Sequence, residues 1–420
     1  MALQIKGKTG LVLGAARSGI AVARTIIDLG GKVMVSEFKP REAVARELEE
    51  LASLNAAIEV GGHTREFILK SDYIVLSPGV RMDIPPVKWA KEAGIEVMGE
   101  IEFAYRLCPC PIIAVTGSNG KTTTVTLIAR VLQKAGKNAV LCGNIGSPFS
   151  KHVLSLKASD IVVLEISSFQ LESTTTFKPK VAVWLNFSQN HLDRHKDLEE
   201  YFQAKKKIFA QQDTGDTAVL NAGQTEFQAM ASTLKSRVVF FDRNDPQDAG
   251  LNANQMAVIA SVGAMGVPRA VCLQVFASFK GVEHRLEFVR NLGGVDFIND
   301  SKSTTPEAGR WAMSYLTKPL VMICGGSDKH ADFSGLRDLA RAKVRKMIVI
   351  GTTKEQLRQT FADVVPLSVC GTLPEAVALA RSDARAGDIV VLSPMCASFD
   401  MFKDYEHRGQ VFKEIVSQLT

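Results

Sequence analysis

The 420 residues contain no uninterrupted apolar run of membrane-spanning length, no Cys-x-x-Cys pair, no long block of one charge sign and few aromatic side chains, 7% in all. Each shortage removes a class of protein. Without a run approaching about 18 uncharged apolar residues, a membrane span is not expected. The cysteines, at 108, 110, 142, 272, 324, 370 and 396, are odd in number and form no paired framework, so reduced thiols are expected. Cys108-Pro109-Cys110 lacks a second ligand pair and reads as a domain linker rather than a metal site. Basic residues exceed acidic ones by only 6 and are scattered without interleaved aromatics, which argues against a nucleic-acid partner and suits small polyanionic substrates. Met1–Lys8 runs directly into a strand-like segment without the apolar stretch and cleavage site of a signal peptide, so a cytoplasmic protein is expected.

Length favours several cores over one. The first hundred residues alternate strand-like runs (Gly10–Gly14, Lys32–Ser36, Tyr73–Ser77) with a helical pattern at Ser18–Leu29. Further strand-like runs at Asp160–Leu164, Val181–Leu185, Thr217–Leu220, Leu320–Cys324, Lys346–Ile350 and Asp388–Ser393 alternate with helical ones. The expected class is α/β with three domains: a Rossmann-like domain over 1–98, a central P-loop ATPase-like parallel sheet over 99–282 and a second Rossmann-like domain over 283–420.

The most informative stretch is Ile112–Thr123, an apolar run that stops at Gly117-Ser118-Asn119-Gly120 and continues as a helix from Lys121. Glycines let backbone N–H groups turn inward, the helix start favours anions, Lys121 adds a point charge and Thr122 a hydroxyl for Mg²⁺, so the loop predicts nucleotide phosphate binding. Val115 stands where the usual pattern has its first glycine. Glu165 closes the next strand, a position suited to the phosphate-bound metal. Asn186–His195 is densely polar after a strand; His191 and His195 have i, i+4 spacing, but Leu192 excludes a zincin helix, which leaves His191 as a metal or substrate ligand and His195 as structural or exposed. Lys205, Lys206 and Lys207 read by default as a solvated basic face. Gly14–Gly19 resembles a dinucleotide turn without its middle glycine, which leaves phosphate binding and close packing both open. Three later strand ends, at Asn299–Thr305, Gly325–Lys329 and Ser393–Ser398, together form a cationic, hydroxylated rim suited to a small dicarboxylate.

Thr116–Thr123, Ser77-Pro78-Gly79-Val80, Gly99–Glu102, Asn144-Ile145-Gly146, Glu165–Leu171, His191-Leu192-Asp193-Arg194, Asn299–Lys302 and Leu392–Phe402 resemble the Mur ligases, ATP-dependent amide ligases of peptidoglycan precursor synthesis, and within them the D-glutamate-adding branch. The resemblance covers essentially the whole chain. It implies ATP contacts from Gly117, Ser118, Asn119, Gly120, Lys121, Thr122, Thr123, Asn254, Arg285 and Asp300, and two Mg²⁺ sites, the first held by Thr122 and Glu165 and the second by His191 with Lys205 as a CO₂-derived carbamate. The catalytic set would be Lys121, Glu165, His191 and Lys205. It further implies a UDP-N-acetylmuramoyl-L-alanine pocket at Ala16, Arg17, Ser18, Gly79, Asn144 and His191, and a D-glutamate pocket at Lys302, Thr304, Lys329, Ser398 and Tyr405. Tyr405 stands where the family has Phe, and Leu251 replaces a polar residue of the adenine-side motif. The implied chemistry is phosphorylation of the L-alanine carboxylate followed by attack of the D-glutamate amine, in a monomer. The rivals are another Mur-type or a folylpolyglutamate-type ligase, and a non-catalytic UDP-sugar-binding homologue.

Overall fold

The computed structural model describes residues 3–188, 194–241, 245–279, 281–327 and 331–420. Their strands form three sheets. The first has five parallel strands, β1 (Thr9–Leu13), β2 (Lys32–Glu37), β3 (Ala57–Val60), β4 (Tyr73–Leu76) and β5 (Glu96–Gly99), in the order β3-β2-β1-β4-β5. The second has six, β6 (Ile112–Thr116), β7 (Ala139–Gly143), β8 (Ile161–Glu165), β9 (Val181–Trp184), β10 (Thr217–Asn221) and β11 (Arg237–Phe241), again all parallel, in the order β11-β10-β9-β6-β8-β7. Strands such as Ile161–Glu165 are buried end to end, as parallel strands covered on both faces must be.

The third sheet is mixed. It comprises β12 (Glu287–Leu292), β13 (Val295–Asn299), β14 (Leu320–Gly325), β15 (Val344–Ile350), β16 (Leu367–Val369) and β17 (Ile389–Leu392), in the order β12-β13-β17-β14-β15-β16. Its edge strand β12 runs antiparallel to β13. Gly293 and Gly294, both at positive φ (60° and 78°), make the two-residue turn this hairpin needs.

The chain separates into two compact units, Met1–Phe279 and Lys280–Thr420. The single break falls between Phe279 and Lys280, and the first two sheets share one unit. Helix Glu100–Tyr105 explains why: Phe103 packs in the first core while Ile101 and Ala104 pack in the second. Glu102, fully buried on this helix, accepts hydrogen bonds from the backbone N–H groups of Thr175, Thr176 and Phe177 and from Arg106. Gly99, assigned to the start of the second domain, closes the edge strand of the first sheet, paired with Leu76. Among the described residues, no helix is long and apolar enough to cross a membrane.

Candidate functional site

In the first unit the polar motifs converge because β9, β6, β8 and β7 are neighbours and all run the same way, so their carboxyl ends line one edge. The loop after β6 turns into helix Lys121–Lys134 through Gly120, whose left-handed φ of 80° and 2.5 Å approach of a hypothetical Cβ to Asn254 Oδ1 both exclude a side chain. Asn254 therefore lies against the loop. It stands on helix Ala253–Gly263, where the motif Gly250–Asn254 resolves into distinct tasks: Asn252 caps the helix in a reciprocal box with Gln255, and Leu251 packs on the apolar core.

Asn186, at the end of β9, fastens the same loop. Its Oδ1 accepts from the Asn119 N–H at 2.9 Å and its Nδ2 donates to the Asn119 carbonyl at 3.1 Å, while Ser118 Oγ donates to the Ser188 carbonyl at 3.1 Å. Lys121 Nζ donates back to the carbonyls of Gly117 (2.8 Å) and Ser118 (3.2 Å). Thr122 Oγ1 donates to Glu165 Oε2 at 2.8 Å, and Asn144 Nδ2 donates to Glu165 Oε1 at 2.7 Å. Glu165 is thus a buried carboxylate held on both oxygens, between the loop hydroxyl and the end of β7.

Lys205 departs from the solvated basic face. On helix Leu198–Lys206 it points inward, only 1% exposed, with Nζ 3.3 Å from Thr116 Oγ1, 3.2 Å from the Gly117 carbonyl and 4.7 Å from the Tyr201 ring centre. Burial, aided by the neighbouring Lys121 charge, holds its amine well below the usual lysine range. Lys206 is half-buried and Lys207 exposed. His195, expected to be structural or exposed, is buried, its Nε2 3.0 Å from Ser168 Oγ. His191 lies outside the described residues, as does Lys329.

At the first sheet, the Gly14–Gly19 turn combines close packing with a helix start: a Cβ on Gly19 would fall 2.0 Å from the Gly14 carbonyl oxygen, and Ala16 caps helix Arg17–Asp28 without a side-chain bond. Arg17 reaches the Gly146 carbonyl at 3.1 Å, beside Asn144, and Ser18 lies in the first turn of the helix. Gly79 is exposed, at the rim of a cavity of about 490 Å³ lined by Phe38, His63, Val80 and Trp89.

In the second unit the three expected segments end adjacent strands β13, β17 and β14. Asp300 is buried, accepting from Ser393 Oγ (2.9 Å) and the Leu286 N–H (3.2 Å); burial pushes it up to about 7. Lys302 Nζ lies 5.7 Å from the Tyr405 ring centre, and Arg285 stacks over Trp311 at 5.2 Å. Ser398 is buried and Thr304 half-buried. Arg408 had no assigned role. It is 1% exposed and donates to Ser301 Oγ (3.0 Å) and to the carbonyls of Ser301 (2.9 Å), Cys396 (3.1 Å) and Ala397 (3.2 Å), clamping two of the segments together. A lone Arg in a helix beginning at Tyr405 gives no sequence signal for this; nor did Asn186 stand out within its polar run.

Three family models match in chain order: the Mur ligase MurD-like N-terminal domain over 8–99, the Mur ligase middle domain over 115–270, and the Mur ligase glutamate ligase domain over 284–396. The chain is 39% identical to the UDP-N-acetylmuramoylalanine--D-glutamate ligase of Pelotomaculum thermopropionicum, covering 98% of each, and 38% identical to that of a Thermoanaerobacter species, covering 99% of this chain and 100% of the relative. Its fold is that of UDP-N-acetylmuramate-alanine ligase MurC from Thermotoga maritima (TM-score 0.58, 18% identity, 98% and 99% covered) and of the Thermotoga maritima MurF ligase solved with ADP (TM-score 0.58, 14% identity, 92% and 95% covered). With the motifs gathered at the strand ends and relatives matched end to end, the chain belongs to the Mur ligase family, among the UDP-N-acetylmuramoylalanine--D-glutamate ligases.

Proposed function

We infer that the protein is an ATP-dependent amide ligase that joins D-glutamate to the L-alanine carboxylate of UDP-N-acetylmuramoyl-L-alanine in peptidoglycan precursor synthesis. The observation that carries the reading is the Lys121, Thr122, Glu165 and Lys205 constellation around a glycine loop, in a chain aligned along its whole length with relatives of that name. A folylpolyglutamate-type activity is disfavoured by the MurD-like match over 8–99.

A carboxylate resists amines because oxide is a poor leaving group; phosphoryl transfer from ATP converts it to an acyl phosphate, and the amine displaces phosphate. Lys121 and the loop N–H groups would hold the transferring phosphoryl group. The hard-oxygen pair of Thr122 and Glu165 fits Mg²⁺, which when bound supplies charge neutralisation at the phosphates. Asn144 would keep the Glu165 carboxylate oriented.

Lys205 is the proposed second-metal group. Burial makes its amine give up its proton more readily than an ordinary lysine, and the neutral form is a nucleophile for CO₂; addition forms an N–C bond, releases one proton and leaves an anionic oxygen donor beside the loop. His191 would complete that second site. Arg285, Asp300 and Asn254 are proposed for the nucleotide, and Lys302, Thr304, Lys329, Ser398 and Tyr405 for D-glutamate. The Gly14–Gly19 and Ser77–Gly79 turns are proposed for the UDP moiety.

The test is phosphate release from ATP with UDP-N-acetylmuramoyl-L-alanine and, in parallel, D-glutamate, L-glutamate, L-lysine or diaminopimelate. Release with D-glutamate alone, reduced about 10²-fold or more by Lys121→Ala with UDP-substrate binding retained, is expected. Release with another amino acid, or near-normal turnover of the variant, overturns the reading.

A further inference from the structure

Arg194 ties two segments of the first unit that carry different parts of the proposed reaction. Its guanidinium donates to the carbonyls of Gly79 (3.1 Å) and Val80 (3.4 Å) on the turn after β4, and to Glu172 Oε2 (3.1 Å) on the helix that follows β8. It also stacks on Phe169 of that helix, 4.5 Å from the ring centre. The clasp is reciprocal, because Arg81, next to the turn, donates to the Arg194 carbonyl at 3.3 Å. With only 13% of its side chain exposed, Arg194 is shielded from the water that weakens surface ion pairs.

The turn is itself fastened to its neighbour. Val80 N–H closes it onto the Ser77 carbonyl at 2.9 Å, and Ser77 Oγ donates to the Gly14 carbonyl at 3.0 Å. A force applied at Gly79 and Val80 therefore reaches both turns proposed for the UDP moiety. The other end of the tether, Phe169 and Glu172, is four and seven residues beyond Glu165. Guanidinium is suited to the task, since its planar donors satisfy two carbonyls and a carboxylate at once, which an ammonium cannot match.

We propose that Arg194 is a positioning residue that holds the Ser77–Val80 turn in register with the Glu165 strand end and thereby sets affinity for the UDP-linked substrate. This rests on the ligase reading. Arg194→Ala is expected to raise KM for UDP-N-acetylmuramoyl-L-alanine about tenfold or more, while KM for ATP and for D-glutamate stays within about twofold. Arg194→Lys should recover only part, and Arg81→Ala, which removes the reverse hydrogen bond together with the exposed Arg81–Asp83 ion pair, should raise the same KM by a smaller factor and serves as the milder probe should Arg194→Ala fold poorly. Amide exchange at residues 77–80 should accelerate in Arg194→Ala with helix Lys121–Lys134 unchanged. An unaltered KM for the UDP substrate, or equal rises for all three substrates, overturns the proposal. If wild type shows no D-glutamate-dependent phosphate release, the ligase reading has failed, and unaltered exchange at 77–80 would separately overturn the tether.

Discussion

Among the described residues, each compact unit buries one lysine or arginine beside its strand ends, and the two are solved oppositely. Arg408 meets three carbonyls and a hydroxyl at 2.9–3.2 Å, so although burial lowers it to about 10 it keeps its charge and knits Ser301 to Cys396 and Ala397. Lys205 has a hydroxyl and a carbonyl at 3.2–3.3 Å, no carboxylate among these contacts, and a second lysine nearby, so burial holds its amine well below the usual lysine range. A buried cation matched by four fixed acceptors is scaffold, whereas one with only two longer contacts is available for chemistry.

The largest effect that would break this contrast is on folding. Arg408→Ala takes the side-chain donor from the buried Ser301 and Cys396 carbonyls, while the Ala397 carbonyl keeps the Ser327 N–H, and should cost about 3–5 kcal/mol, read by urea unfolding of the full chain. A loss below about 1 kcal/mol would mean the clamp is dispensable. Lys205→Ala should instead spare folding and lower kcat about 10²-fold or more, roughly 2.7 kcal/mol in the barrier, with formate or acetate restoring part of the loss and Lys206→Ala doing little. Full activity of Lys205→Ala would return it to a basic helix face.

Glu102 sharpens the comparison from the anionic side. Burial raises its carboxyl, but hydrogen bonds from Thr176, Thr175 and Arg106 outweigh that and hold it below the usual range. Its contribution is therefore present above the unfolded carboxyl value, near about 4.3, and lost as pH falls through the lower folded one. Glu102→Gln should cost about 2 kcal/mol at pH 7 and nearly nothing in strong acid, compared by unfolding at both pH values. A pH-independent difference would assign the effect to packing. The smallest effect is expected at Lys302, half-buried over Tyr405: Lys302→Ala should raise KM for D-glutamate about tenfold, with KM for ATP unchanged. A rise confined to ATP would move this lysine to the nucleotide.

Much was legible in the chain itself. The loop at 117–123 reads directly because glycine conformations and a helix start are local properties, and strands such as Val181–Trp184 and Leu320–Gly325 show their burial as continuous apolar runs. The edge strand β12 was missed although Gly293-Gly294 marks its turn, since Glu287–Leu292 is half polar and lacks a buried strand's continuity.

Sequence alone determined the α/β class, the phosphate loop, Glu165 at a strand end and the likeness that maps Lys205 ahead of Lys206, because these depend on residue type and near-neighbour spacing. Only the tertiary structure decided that Lys205 is buried and Lys207 is not, that Asn144 orients Glu165, that Arg408 clamps two distant segments and that Arg194 joins the first sheet's turn to the second sheet's edge. Each of those contacts spans between 21 and 115 residues of chain, except the Arg408 bonds to Cys396 and Ala397, and whether a side chain faces water or a carbonyl across such a distance is set by how the sheets pack.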